Sequence, residues 1–137
     1  MMMLCLTIKS TTGKPITFSY YSPSLHNSRT SDGGRYQRFA SRGSYDRTYR
    51  SLSEKLRATA LTCASNMHKN GTILKVSNPK NGKSIYVLVT DKMSTRFRNR
   101  RIDLSEEAIR LLSTNYRSQG LVKGTYEVYK EPKTNKR

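Results

Sequence analysis

The chain has 137 residues, with 26 lysines and arginines against 9 acidic residues and a net charge of +17. This length supports one domain with a modest core and excludes two. The charge indicates an anionic partner such as nucleic acid, anionic lipid or an acidic cell-wall polymer. No stretch approaches the roughly 20 apolar residues of a membrane span.

Neither the cysteines nor the opening residues indicate a special site. Cys5 and Cys63 lie far apart and fit no zinc-ligand spacing, so we expect two buried free thiols, with one disulfide as the alternative. We predict no metal and no cofactor. The apolar opening from Met1 to Leu6 is too short for a signal sequence, and no basic segment precedes it. We therefore expect synthesis in the cytoplasm without an export signal.

Two strands are predicted at the start of the chain, over 4–9 and 15–21. The second strand alternates apolar and polar residues, which is the pattern of a half-buried strand. Its apolar face consists of Ile16, Phe18 and Tyr20. Residues 22–34 are a predicted loop, because they contain Pro23 and the run Asp32-Gly33-Gly34.

A segment rich in arginine and aromatic residues follows over 35–50. Aromatic rings between arginines suit base stacking and phosphate contact, and the alternative is a solvated loop whose rings cover the barrel. The arginines predicted to bind a polyanion are Arg38, Arg42, Arg47 and Arg50. Residues 51–65 are predicted to be short and irregular, with Leu56, Ala60 and Leu61 as buried anchors.

A hairpin is predicted between residues 74 and 91. Two runs of alternating apolar residues flank a turn, Asn78 to Gly82, that contains a proline and an Asn-Gly pair. The second run ends on Thr90 and Asp91, which places a carboxylate where a strand leaves the sheet. A carboxylate there is either an acid site or a turn residue.

The last third of the chain predicts one helix and a closing strand. Arg101 to Ser105 is predicted to open the helix, with Ser105 or Asp103 as its cap and acidic residues in its first turn. A strand over 123–129 follows. Seven or so short strands with one helix predict a small closed β-barrel.

Several segments, taken in order, resemble the rare lipoprotein A family. They are residues 18–33 (FSYYSP, His26 and RTSDG, against ASWYG, His and RTANG), 60–65 (ALTCAS against ALTAAH), 71–78 (GTILKVSN against GTRVRVTN), 81–84 (NGKS against NGRS), 87–92 (VLVTDK against VRVNDR) and 101–105 (RIDLS against RIIDLS). The resemblance implies a mainly β chain folded as a six- to seven-stranded double-psi β-barrel, related to barwin and expansin domains. The barrel would span 15–130, with a strand and turn at 1–14, a basic insertion at about 35–52 and a basic tail at 131–137.

The resemblance also implies a chemistry. Active family members are lytic transglycosylases that cleave peptidoglycan glycan strands with an Asp, a Glu and a His. The Asp falls on Asp91, the Glu on Glu54, and the His on Ser65, which is a departure from the family pattern. His68 is three residues too late to replace that His without a rearranged loop. Candidate substrate-binding residues are Tyr20, Tyr21, Arg29 and Lys92.

Asp91 and Glu54 suit glycosidic bond cleavage. Asp91 would protonate the leaving oxygen, while Glu54 would stabilise positive charge or orient the sugar. The field of the +17 net charge opposes this role, because it lowers carboxyl pKa values. Asp103 is expected to cap the helix or bind loop backbone, and His26 to support its loop.

Two functions follow from these observations. The first is a peptidoglycan-directed, lytic transglycosylase-like protein that cleaves or binds cell-wall glycan. Because no export signal is seen, a phage particle, a lysis event or a secretion machine would bring it to the wall. The second is a catalytically inactive barrel that acts as a structural or nucleic-acid-binding module in an assembly.

Overall fold

A computed structural model describes residues 13–21, 47–93 and 100–131 of the chain. The strand predicted at 4–9, the loop at 22–34 and nearly all of the tail lie outside these residues. So do His26, Arg29, Arg38 and Arg42. Among the described residues, no helix is long and apolar enough to span a membrane.

The described residues form a closed six-stranded barrel. Its strands are β1 (Lys14–Tyr21), β2 (Thr62–Ala64), β3 (Ile73–Asn78), β4 (Lys83–Asp91), β5 (Arg101–Ser105) and β6 (Val122–Lys130). Around the barrel the order is β1-β5-β2-β4-β3-β6. The pairs β1–β5 and β2–β4 are parallel and the other four pairs are antiparallel. The predicted fold class, mainly β with a small closed barrel, is confirmed.

Alternation along the strands fills the barrel interior. The core contains, among others, Phe18, Cys63, Leu74, Val76, Val87, Val89, Ile102 and Leu104, all with no exposed surface. Each of these side chains is separated from the next core residue of its strand by one that points outward, as the period-two pleat requires. Burial of such side chains stabilises the fold by roughly 1.5–3 kcal/mol each.

Within the described residues, three helices accompany the barrel: α1 (Arg47–Ala58), α2 (Glu106–Leu112) and α3 (Tyr116–Gln119). The prediction of one helix is therefore corrected, as is the prediction that residues 51–65 are irregular. In α1, Tyr49 and Leu56 are seven residues apart, so they share one helix face. They pack on Ile73 and Leu88 on the outside of the barrel. The apolar stripe of α1 is thin and lies among arginines, which hides its period in the sequence.

The β3–β4 hairpin agrees with its prediction. Asn78 pairs with Lys83 at the turn, and Gly82 takes a positive φ of 75°. The side-chain amides of Asn78 and Asn81 each donate to the carbonyl of Leu112 at 2.9 Å. The turn residues therefore also satisfy the end of α2, which leaves carbonyls without helical partners.

Residues Arg101 to Ser105 form strand β5 rather than the start of a helix. Ile102 and Leu104 point into the core, while Ile102 pairs with Phe18 of β1. The helix begins at Glu106, and Ser105 is its N-cap, accepting from the Ala108 amide at 3.2 Å. Asp103 lies in the strand and does not cap the helix. The sequence hides this boundary because strand and cap residues follow each other directly.

Candidate functional site

Two carboxylates flank one residue at an end of the barrel. Strand β2 lies between β4 and β5, and Ala64 is opposite Asp91 on one side and Asp103 on the other. Because neighbouring strands are about 4.8 Å apart, the two aspartate Cα atoms lie about 10 Å apart. Both side chains are half-buried. The predicted position of Asp91 at a strand end is confirmed.

Asp103 points away from the core and contacts β1. Ser19 Oγ donates to its Oδ1 at 2.8 Å. Burial raises the pKa of the Asp103 carboxyl, while the Ser19 hydrogen bond and the positive charge of Arg101 oppose that rise. The result is a carboxyl that keeps its proton to higher pH than an ordinary aspartate.

Tyr21 belongs to the same group of side chains. Its phenol oxygen lies 2.6 Å from Thr62 Oγ1, and burial raises its pKa. The charges of Asp103 and Asp91 both add to that rise, so the Tyr21 hydroxyl lies within the electrostatic reach of both carboxylates. Tyr20, the other predicted substrate-binding tyrosine, lies on the opposite face of β1. There its ring meets Tyr116 edge-on, with centroids 5.1 Å apart.

Asp91 is tied to the loop that follows β2. The Ser65 amide donates to the Asp91 carbonyl at 3.0 Å, and the Lys92 amide donates to Asp91 Oδ1 at 2.8 Å. The ammonium of Lys92 donates to the carbonyls of Ser65, at 3.2 Å, and of His68. Burial lowers the pKa of Lys92. This predicted substrate-binding lysine therefore already holds a loop of its own chain.

Ser65 and His68 come together in that loop. Ser65 is fully buried, and its Oγ lies 3.1 Å from His68 Nδ1. Sequence reasoning treats these two residues as alternatives, but the loop turns sharply enough to place them in contact. The His68 ring is half-buried and meets Tyr126 edge-on, with centroids 5.6 Å apart. Burial lowers the pKa of His68, Glu131 opposes this, and Lys92 and Lys14 add to it.

The remaining predicted site residues lie on helix α1 or outside the described residues. Glu54 is exposed on α1, and its catalytic role stays a prediction. Arg50 lies on the same helix, and Arg47 is the first residue of that helix.

Metal binding finds no support among the described residues. No group of three or more His, Cys, Asp or Glu side chains in ranges 13–21, 47–93 and 100–131 could hold a metal ion. Cys63 is a free, fully buried thiol, and burial raises its pKa. A thiol in that setting is a packing residue, since the reactive form is the thiolate.

Comparison with known proteins identifies the fold. The sequence matches no protein-family model and no curated protein. Cerato-platanin 3 from M. perniciosa is similar, with a TM-score of 0.55, 16% identity, and coverage of 85% of this chain and 95% of that one. A mutant Clavibacter michiganensis expansin in complex with cellohexaose is also similar, with a TM-score of 0.51 and 22% identity, over 88% of this chain and 52% of the expansin.

The apo form of the Clavibacter expansin gives a TM-score of 0.52 and 21% identity, over 87% of this chain and 51% of that one. The chain thus spans about half of the expansin. At these identities the likeness shows the fold alone. It does not single out the rare lipoprotein A family that the sequence segments resemble. The chain is a double-psi β-barrel protein.

Proposed function

We propose that this barrel binds cell-wall glycan strands across the end that carries Asp91 and Asp103. The observation that carries the proposal is that these two carboxylates flank Ala64 and that the charge of each raises the pKa of Tyr21. Sugar hydroxyls donate to carboxylates, and a tyrosine offers a ring face together with a hydroxyl. A mutant of the Clavibacter expansin, about half of which matches this barrel, has been solved in complex with cellohexaose, a β-linked glucan.

Peptidoglycan is the glycan that we propose, because the sequence segments resemble a peptidoglycan-directed family. Its strands, like cellohexaose, are β-linked sugar chains with hydroxyls along both edges. The outward faces of β1 and β5 offer Ser19, Tyr21 and Asp103 to such a chain. Their mix of donors, acceptors and one ring suits the hydroxyls of a sugar chain.

We further propose that the barrel cleaves the glycan strand that it binds. An acid catalyst must hold its proton near neutral pH, and burial pushes Asp103 in that direction. We infer that Asp103 protonates the leaving oxygen, while Asp91 accepts the proton of the sugar C6 hydroxyl that attacks the anomeric carbon and closes the anhydro ring. Carboxyls on Cα atoms about 10 Å apart can bracket one glycosidic bond. This pairing replaces Glu54, which is exposed on α1, with Asp103.

Pelleting with insoluble peptidoglycan tests the proposal. We expect wild type to co-sediment, and Asp91→Asn and Asp103→Asn to bind about tenfold more weakly, the loss expected from one hydrogen bond to the sugar. Mass spectrometry of the soluble fraction should show anhydro-muropeptides from wild type and none from these two variants. Glu54→Gln is the matched control and should behave as wild type. Wild type that stays in solution, or a loss seen only in Glu54→Gln, would contradict the proposal.

A second candidate is a catalytically inactive module that binds nucleic acid in an assembly. The observation that favours it is the net charge of +17, which an extended polyanion would neutralise. Arg38, Arg42, Arg47 and Arg50 would bind the phosphates in this case. Binding to nucleic acid and to a neutral oligosaccharide differ in their dependence on salt, because only the polyanion releases counterions when it binds.

A further inference from the structure

The loop after β2 and the chain after β4 are joined by several hydrogen bonds. Besides the bonds of Ser65 and Lys92 described above, the Met93 amide donates to Asn66 Oδ1 at 2.8 Å. Within the loop, the Met67 amide donates to Ser65 Oγ at 3.1 Å. Loop 65–68 therefore holds the Lys92 ammonium and contributes to the position of the Asp91 carbonyl.

The Ser65 hydroxyl determines which form of His68 fits this loop. Ser65 Oγ already accepts one hydrogen bond, from the Met67 amide. Its own hydrogen can go to His68 Nδ1, at 3.1 Å, provided that this nitrogen carries no proton. A protonated Nδ1 would donate to the same oxygen instead, and the hydrogen of a fully buried hydroxyl would then need another acceptor. The loop thus favours the neutral imidazole with its proton on Nε2.

The charges around His68 act mainly in the same direction. Lys92 approaches from the end of β4, and its ammonium is bound to the His68 carbonyl. Lys14 contributes a second positive charge from β1. From β6, Tyr126 contacts the ring, and Glu131 just beyond that strand is the one acidic group acting on it among the described residues. An imidazolium at this place would stand beside the Lys92 ammonium and repel it.

We propose that His68 is a pH-responsive positioning residue: its neutral ring, through Ser65, holds loop 65–68 around the Lys92 ammonium, and its protonation frees that ammonium beside Asp91. The effect on glycan rests on the proposed function. The link from His68 through Ser65 to Lys92 does not, and it can be measured on the protein alone.

An NMR titration of the 15N-labelled full chain from pH 8 to pH 5 tests the link. We expect the amides of Ser65, Met67 and Lys92 to shift with the same midpoint as the His68 ring. The chain has two histidines, so His26→Asn is the matched control and should keep that inflection, whereas His68→Asn should lose it. Ser65→Ala should leave the His68 ring titrating while the Lys92 amide no longer follows.

A Lys92 amide with no inflection at the His68 midpoint in wild type would overturn the proposal, even if His68→Asn did not fold. The same holds if Ser65→Ala leaves the Lys92 inflection unchanged.

Binding to insoluble peptidoglycan gives the functional readout. We expect wild type to lose about fivefold or more in affinity between pH 7.5 and pH 5.5, the usual size of coupling between two sites. His68→Asn retains an oxygen that can accept the Ser65 hydrogen bond. Its affinity should therefore match that of wild type at pH 7.5 and should not change between pH 7.5 and pH 5.5. A His68→Asn variant with the wild-type pH profile would overturn the proposal. Wild type that binds no glycan at any pH would remove the proposed function, while the NMR titration would still decide the role of His68.

Discussion

At the scale of single residues, the pH dependence of stability can be followed at the buried carboxyl of Asp103. Burial raises its folded pKa above the usual aspartate value of 3.8. Its stabilising contribution is therefore complete below pH 3.8 and is lost as the pH rises through the folded value. Ionisation of this buried carboxyl therefore costs stability.

We therefore predict that Asp103→Asn raises the melting temperature at pH 7, since Asn Oδ1 can still accept the Ser19 hydrogen bond without carrying a charge. Near pH 3 the gain over wild type should shrink. Thermal unfolding of both proteins at the two pH values measures this. A variant that melts below wild type at pH 7 would show that the charge of Asp103 stabilises the fold.

The sequence predicted the position of Asp91 but not the contact between Ser65 and His68. Asp91 could be placed at a strand end, because the alternation of β4 stops there. The contact between Ser65 and His68 depends on the path of a four-residue loop, which has no periodicity to read. The helix-capping role offered for Asp103 was wrong for a related reason, since a carboxylate two residues before a cap looks like a capping residue.

Among the elements, the junction of β5 and α2 depends on one buried hydroxyl. Ser105 Oγ donates to the Ala60 carbonyl at 2.7 Å and accepts from the amides of Ala108, at 3.2 Å, and Thr62, at 3.4 Å. We predict that Ser105→Ala lowers the free energy of unfolding by about 2 kcal/mol, because a cap is removed and buried polar groups are left without their partner.

Urea denaturation measures that change, and Ser118→Ala in α3 is its control. Ser118 is exposed and donates only to the Asn115 carbonyl, so its removal should cost within about 0.5 kcal/mol. Equal effects of the two changes would contradict the role given to Ser105.

The elements also differ in how far the sequence determined them. β1, β6 and the β3–β4 hairpin were predictable, because alternation and an Asn-Gly turn are local signals. Helix α1 was missed, although Tyr49, Leu52 and Leu56 recur at helical spacing, because arginines surround them and favour the interpretation of the segment as a basic loop. Packing of this apolar face on Ile73 and Leu88 stabilises the helix.

At the scale of the whole molecule, the net charge of +17 separates the two candidate functions. Binding to nucleic acid should weaken steeply with salt, and a joint substitution of Arg38, Arg42, Arg47 and Arg50 by Gln should lower the log–log slope by roughly 0.9 for each phosphate that the variant no longer neutralises. Binding to a neutral β-linked glycan should change little over the same salt range. Fluorescence titrations with DNA and with a soluble oligosaccharide, from about 50 to 400 mM salt, compare the two.

Tight, steeply salt-dependent DNA binding that disappears in the fourfold variant, combined with no glycan binding, would favour the nucleic-acid module. Salt-insensitive glycan binding that the fourfold variant retains would favour the glycan function.

The location of glycan on the barrel is the central claim, and an NMR titration of the 15N-labelled chain with a soluble β-linked hexasaccharide tests it most directly. Cellohexaose and a hexamer of N-acetylglucosamine are suitable probes. We expect saturable shifts that are largest at Tyr21, Ala64, Asp91 and Asp103, and much smaller shifts in Asp91→Asn. Shifts confined to the β3–β4 hairpin and α2, or no saturable shift with either sugar, would contradict it.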